Sequence, residues 1–220
     1  MTTPSKAEQT RAAIVDAAMR LFRGSGYDRT TMRAIASEAG VSVGNAYYYF
    51  GSKEHLVQAF YDQLQTEHAE RSAGVLERES GFAERLEGVL LAWLDVAEPH
   101  HAFAGQFFRN AADPTSPLSP FSSESAPARD ASIAIFETLV AGSDVKLAPA
   151  LRRELPGLLW LMQMGVVLYW VYDASEDQAR SRMLVRRIVP VVDRLTRMSR
   201  LPVVRGVVDD VVALVTDLRG

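Results

Sequence analysis

Three glycine and serine breaks crowd into residues 24–52: Gly24-Ser25-Gly26, Gly40-Val41-Ser42 and Gly51-Ser52. The segments between them are too short for helices of ordinary length and carry no alternating strand pattern, so short helices joined by tight turns are predicted there. Ahead of the first break, Ile14, Ala17, Ala18, Leu21 and Phe22 recur at i, i+3, i+4, i+7 and i+8, one apolar face of a helix over about residues 6–24. Thr31 is placed to cap a second helix holding Ile35, Ala36 and Ala39, which Gly40 ends. Ser42 caps a third, Val43 to Phe50, and after Gly51 a fourth begins under Ser52 and runs through Leu56, Phe60 and Leu64 towards residue 74.

The third segment raises a question of its own. In GVSVGNAYYYF, successive helical side chains step by about 100°. Tyr47, Tyr48, Tyr49 and Phe50 therefore fan around the axis and cannot all enter one core. Ala46 and Phe50, four apart, are predicted to face inward together, leaving tyrosine hydroxyls for something outside.

Beyond residue 80 every stretch again reads as helix, at about 81–98, 101–111, 126–141, 157–173, 177–198 and 204–218. No Asn-Gly or Asp-Gly hairpin signal interrupts them. DPTSPLSPFSSESAPA, 113–128, reads as a Pro/Ser-rich loop free to move. Ser175 and Gln178 suit a capping box, and Pro190 should bend the helix that follows. The expected fold is all-α, with an N-terminal three-helix unit, 1–51, joined to a larger helical domain, 52–220.

A hydrophobic content of 48% is enough for a sizeable core. The absence of cysteine excludes disulfides and thiol chemistry and fits a reducing compartment, expected to be the cytoplasm. No apolar signal segment opens the sequence. LPGLLWLMQMGVVLYWVY, 155–172, reaches the lower edge of membrane-spanning length, but its Pro156, Gly157 and Gln163 and its charged flanks favour a buried helix. A net charge of −3 argues against nucleic acid until its distribution is read. Residues 1–60 carry seven Lys and Arg against five acids, and the rest 17 against 22. The sign suits a first segment that meets phosphate.

Two short helices joined across Gly40-Val41-Ser42 form the pattern of a helix-turn-helix, whose second helix enters the DNA major groove by its N-terminal end. Ala36 is small enough for close approach of the pair. The entering end would be Val43-Gly44-Asn45: Gly44 leaves room for a nearby backbone, and Asn45 can hydrogen-bond a base edge, adenine preferentially. Tyr47 and Tyr49 flank the inward face with hydroxyls able to reach phosphate, and Lys53 places a cation beside a helix N-terminus that itself attracts anions.

Residues 10–58 resemble the DNA-binding domain of the TetR family of bacterial transcriptional regulators, through G-Y-x-x-T-T, I-A-x-x-A-G-V-S and Y-x-Y-F-x-S-K-E-x-L within residues 14–56. The resemblance implies that Thr31 and Ser42 cap helices near phosphate and that Arg33 reaches towards bases or backbone. It places Val43, Gly44 and Asn45 in the groove and Tyr47, Tyr49 and Lys53 on phosphates. Tyr48 would either pack on the first helix or lie along the DNA backbone. It implies a homodimer, most simply a repressor, on a pseudo-palindromic double-stranded operator, released by a small-molecule effector.

The middle helices would then enclose the effector. Trp93, Phe103, Phe107, Phe108, Phe121 and Phe136 supply aromatic surface, and Gln106, Arg109 and Asn110 polar anchors. The last long helices would pair with their copies. Leu184, Ile188, Val191, Leu195 and Met198 keep the 4-3-4-3 spacing of a helix seam, joined by Trp160 and Val167 of the uncharged helix before it. Glu98, His100 and His101, interrupted by Pro99, suit a helix junction better than a metal, and no metal or cofactor is expected. No nucleophile, base and acid set suggests an enzyme. Asn45 and the acidic larger domain disfavour a DNA-organising protein indifferent to sequence.

Overall fold

The computed structural model describes residues 5–113 and 115–199, with positions 210 and 213; for Phe103, Gln106, Phe107, Arg109 and Asn110 it describes the backbone alone. Among these residues there are nine α-helices and no strand: α1 (Lys6–Ser25), α2 (Met32–Glu38), α3 (Val43–Tyr49), α4 (Lys53–Arg78), α5 (Phe82–Ala97), α6 (His101–Ala111), α7 (Ala126–Ala141), α8 (Pro149–Val171) and α9 (Ala179–Met198). The helix expected over 204–218 lies almost wholly outside the described residues. The chain forms two compact units, 1–64 with 100–129, and 65–99 with 130–220. Helix α4 therefore contributes its first half to one unit and its second half to the other.

In the first unit the starts of α1, α2 and α3 are set locally. Ser5 and Glu8 form a reciprocal capping box on α1, Thr31 Oγ1 accepts from Ala34 N at 3.2 Å, and Ser42 Oγ accepts from Asn45 N at 3.1 Å. Each such cap contributes about 1 kcal/mol. The ends of α1 and α2 depend on left-handed glycines, Gly26 at φ 86° and Gly40 at φ 69°, where a side chain would be strained. Beyond Gly40 the chain returns at once, Val41 N donating to Ala36 O at 2.9 Å, and this tight reversal makes α2 and α3 a helix-turn-helix. Ala36 and Ala46 are fully buried, as close packing of the two helices requires.

The core of this unit takes Ile14, Ala18 and Phe22 from α1, Ile35 from α2, Phe50, and Leu56 and Phe60 from α4. It also takes Leu118, from the segment the sequence suggests is free to move. Gln58 Nε2 donates to Pro117 O at 2.6 Å, and Arg129 donates to Pro120 O and Ser122 O at 2.9 and 3.1 Å. One leucine among prolines and serines, tied down by two long polar side chains, holds the segment in place.

The second unit packs α5 against α9 and α8 against α9. Its fully buried side chains include Phe82, Leu86, Leu90, Phe136, Leu139 and Leu159. Arg85, also buried, donates to Leu76 O and Glu79 O near the end of α4 and to Thr138 O and Leu139 O near the end of α7, at 2.7–3.1 Å. One guanidinium thus serves the terminal carbonyls of two helices, where positive charge is favoured. Burial lowers its pKa, but an arginine stays charged.

Two expected boundaries differ. Helix α8 begins at Pro149, in the first turn where a missing N–H costs nothing, earlier than the expected start at about 157, and Pro156 lies buried inside the helix. Ser175 and Gln178 form no capping box: Asp177 and Gln178 have left-handed backbones, and Asp173 takes the role. Its Oδ1 accepts from Ser175 N and Oγ, its Oδ2 from Ser181 N and Oγ, at 2.6–3.0 Å. Burial works against the charged form, yet these bonds bring the Asp173 pKa down to about 2. A carboxylate accepts more strongly than a serine hydroxyl, so Asp173 holds Ser181, while Ser175 Oγ keeps a single bond from Arg180 N at 3.1 Å. Pro190 lies inside α9 as expected.

Candidate functional site

Helix α3 turns one residue inward. Ala46 is buried, with Phe50 just beyond the helix in an extended conformation, while Ser42, Val43, Gly44, Asn45, Tyr47 and Tyr48 are all exposed. Tyr48 is 82% exposed, so it does not pack on α1; its ring meets Tyr49 edge-on at 5.3 Å. Tyr49 is half-buried against the core. A Cβ at Gly44 would meet no atom of the chain, so packing within the protein does not demand glycine there. Thr31 and Arg33 are exposed at the start of α2. Turn, caps and core together leave a continuous outward surface of one amide and two phenols.

Lys53 is held inward. Its Nζ donates to Tyr27 O at 2.8 Å and lies 4.3 Å from the centre of the Tyr27 ring. The Tyr27 hydroxyl donates to Glu54 at 2.7 Å, and burial followed by that bond raises the tyrosine's pKa. Burial opposes the charge of Glu54, but hydrogen bonds from Ser52 and Tyr27 hold its pKa below the usual carboxylate range. The lysine is therefore fixed near the start of α4, with two further N–H groups for an anion. Tyr27 as the lysine's seat, and Arg11 stacked 5.1 Å over the Phe50 ring, were not legible as partners. The only signal for Tyr27 was the G-Y of the first motif.

Among the residues expected at an effector, Trp93 of α5 meets Trp170 of α8 edge-on at 5.3 Å, and Phe136 is wholly buried core. Phe103, Gln106, Phe107, Arg109 and Asn110 lie on α6, in the other compact unit, and their side chains are outside those described. Of the expected seam, Val191 and Leu195 are 50% and 59% exposed, and Val167, Leu184 and Ile188 are half-buried. Trp160 is only 5% exposed: it is packed within the chain and offers no surface. Leu168, Tyr169, Tyr172 and Met183 add exposed apolar surface on α8 and α9 that the spacing did not single out. Helix α8 is long and apolar enough to cross a membrane, but half of that stretch is buried in the fold. Glu98 pairs with Arg182 at 2.8 Å, and the His100 ring meets Phe60 edge-on at 4.8 Å. No group of three or more His, Asp or Glu side chains suited to a metal occurs among the described residues.

A helix-turn-helix with an outward polar and aromatic face, followed by a longer helical region, defines the class of helical DNA-binding regulators. Residues 14–60 match the family model for bacterial regulatory proteins of the tetR family, and 85–214 match the tetracyclin repressor-like C-terminal domain. The chain belongs to the TetR family. It is 46% identical to the HTH-type transcriptional regulator TtgR of Pseudomonas putida over 66 residues, 30% of this chain and 31% of that protein. It is 31% identical to the HTH-type transcriptional repressor KstR2 of Mycobacterium tuberculosis over 96 residues, 42% and 46% of the two chains. These matches span less than half of either relative. The FadR regulator of Bacillus subtilis, solved in complex with stearoyl-CoA, shares the fold at TM-score 0.63 and 18% identity, over 81% of this chain and 97% of that one.

Proposed function

We propose that this protein is a transcriptional regulator, acting as a repressor, that binds a pseudo-palindromic operator as a homodimer in the cytoplasm and is released by a small-molecule effector. The observation that carries the reading is the outward face of α3, where Asn45, Tyr47 and Tyr48 are exposed while the caps and Ala46 fix the helix beneath them. Residues 1–51 read the operator, and 52–220 bind the effector and join the two copies. Val43, Gly44 and Asn45 meet base edges; Thr31, Arg33, Ser42, Tyr47, Tyr48, Tyr49 and Lys53 meet the backbone. Self-association is supported by the exposed side chains of α8 and α9, which make an apolar face of the kind that marks an interface. Effector control is supported by the relatives named as repressors and by FadR, solved with a bound acyl-CoA.

The test is selection of duplex DNA from a random pool, followed by anisotropy titration. The expected result is a two-fold site whose half-sites lie about 34–36 Å apart or a multiple of it. Uniform affinity for selected and random duplexes would overturn the reading.

A further inference from the structure

The second compact unit contains polar atoms that its own fold leaves unused. On α4, His68 and Ser72 are fully buried, and neither His68 Nδ1 nor Ser72 Oγ has a hydrogen-bond partner among the described residues. The same holds for Gln65 Nε2, one turn earlier. Positions 65, 68 and 72 stand at i, i+3 and i+7, on one face of the helix. On α8, Gln163 is 1% exposed and its Oε1 is also without a partner. Two helices of one unit thus carry buried polar atoms that none of the described residues satisfies. Such atoms are costly and rare in native interiors, and each calls for an explanation.

The chemistry of the atoms is defined. His68 Nε2 lies 3.0 Å from Val89 O, a carbonyl that only accepts, so Nε2 carries the proton and Nδ1 is a bare acceptor. Burial pushes the His68 pKa down to about 4, so the ring is neutral at pH 7. Ser72 does not use the carbonyl bond to the preceding turn that a helical serine usually makes. The Val89 carbonyl sits one turn from Trp93, whose ring meets Trp170, and Gln163 lies two turns before Trp170 on α8. Helix α5 thus carries both the His68 contact and one ring of the tryptophan pair, and α8 carries Gln163 and the other ring. Arg85 is committed elsewhere, because four of its five N–H donors are taken by main-chain carbonyls.

We propose that this interior is the effector site, and that it takes an uncharged, mainly apolar molecule bearing a hydroxyl group, anchored by His68, Ser72 and Gln163 beside Trp93. The proposal rests on the effector-controlled reading above and gives the ligand's class. A hydroxyl donates its one proton to a bare acceptor, His68 Nδ1 or Gln163 Oε1, and can accept from Ser72 or Gln65. A carboxylate has no donor to offer, and placing its charge beside neutral acceptors would be unfavourable.

The experiment is calorimetric titration of the full chain, without DNA, with two matched pairs: naphthol against naphthoate, and decanol against decanoate. The expected result is saturable binding of at least one alcohol at one per chain, with its carboxylate at least roughly tenfold weaker. The variant Ser72→Ala/Gln163→Met should melt at or above the wild-type temperature, since orphan polar atoms are removed, and should bind the alcohol about tenfold less tightly. A destabilised variant with unchanged affinity would mean that the groups satisfy buried water, and would overturn the proposal. So would binding of neither alcohol, or preference for the carboxylates. The operator titration is separate: DNA binding with no alcohol binding sinks this inference alone, and alcohol binding with no DNA binding sinks the regulator reading alone.

Discussion

Replacing Arg85 by methionine keeps much of the side-chain volume and removes all four hydrogen bonds to the ends of α4 and α7. A hydrogen bond to a charged group contributes about 1.5–3 kcal/mol, so the gross loss is roughly 6–12 kcal/mol. Most of it is offset. Removing the guanidinium also removes the cost of burying it, several kcal/mol. Glu79 and Thr138 are exposed residues, so water can reach part of the carbonyl set after the change. The net expectation is a loss of about 2–4 kcal/mol, read by urea denaturation followed by circular dichroism at fixed protomer concentration. Gly142 sharpens the test, because a Cβ there would lie 2.6 Å from an Arg85 terminal nitrogen. Gly142→Ala should cost about 1 kcal/mol in the wild-type background and nothing in the Arg85→Met background, where its obstacle is gone. Additive effects of the two changes, or an Arg85→Met variant within about 0.5 kcal/mol of wild type, would refute the assignment of Arg85 as a shared helix cap.

Three further outcomes are expected. Because the Asp173 pKa falls from 3.8 to about 2 on folding, its carboxylate contributes about 2 kcal/mol that is fully present above pH 4 and lost as pH falls towards 2. Asp173→Asn should therefore be less stable at pH 7 and approach wild type in acid, as measured by urea midpoints at several pH values. Asn45→Ala should relax preference at particular base pairs by about 1–3 kcal/mol in anisotropy titrations, whereas Lys53→Ala should weaken selected and random duplexes alike and flatten the salt dependence by about one phosphate. Ile188→Asp with Leu195→Asp should yield monomer by ultracentrifugation; a stable, fully dimeric double variant would remove α9 from the seam.

The parts of the fold that were legible are those decided within a few residues. Thr31, Ser42 and Gly40 announced the caps and turn of the helix-turn-helix, and Ala46 with Phe50 announced its inward face, because capping and periodicity are local. Errors arose where two local signals competed. The expected start at about 157 left Pro156 outside a helix that Pro149 in fact begins, and the expected Ser175–Gln178 box gives way to Asp173, with Ser175 Oγ keeping one bond from Arg180 N. What remained hidden depends on distant partners. Nothing near Lys53 shows that Tyr27 holds it, nothing near Trp160 separates an inward tryptophan from an interface one, and Arg85 resembles a surface arginine until four carbonyls surround it.

Leu118 gives the first unit a history as well as a shape. Its side chain completes a core otherwise built from residues 14–60, and Gln58 fastens the segment that carries it. On a ribosome adding about 5–20 residues per second, that leucine arrives some 3–12 s after residue 60. Until then α1 to α4 are present without the side chain that closes their core. A nascent or truncated chain ending near residue 64 would carry every residue proposed to face the groove and still lack the side chain that completes the core beneath them.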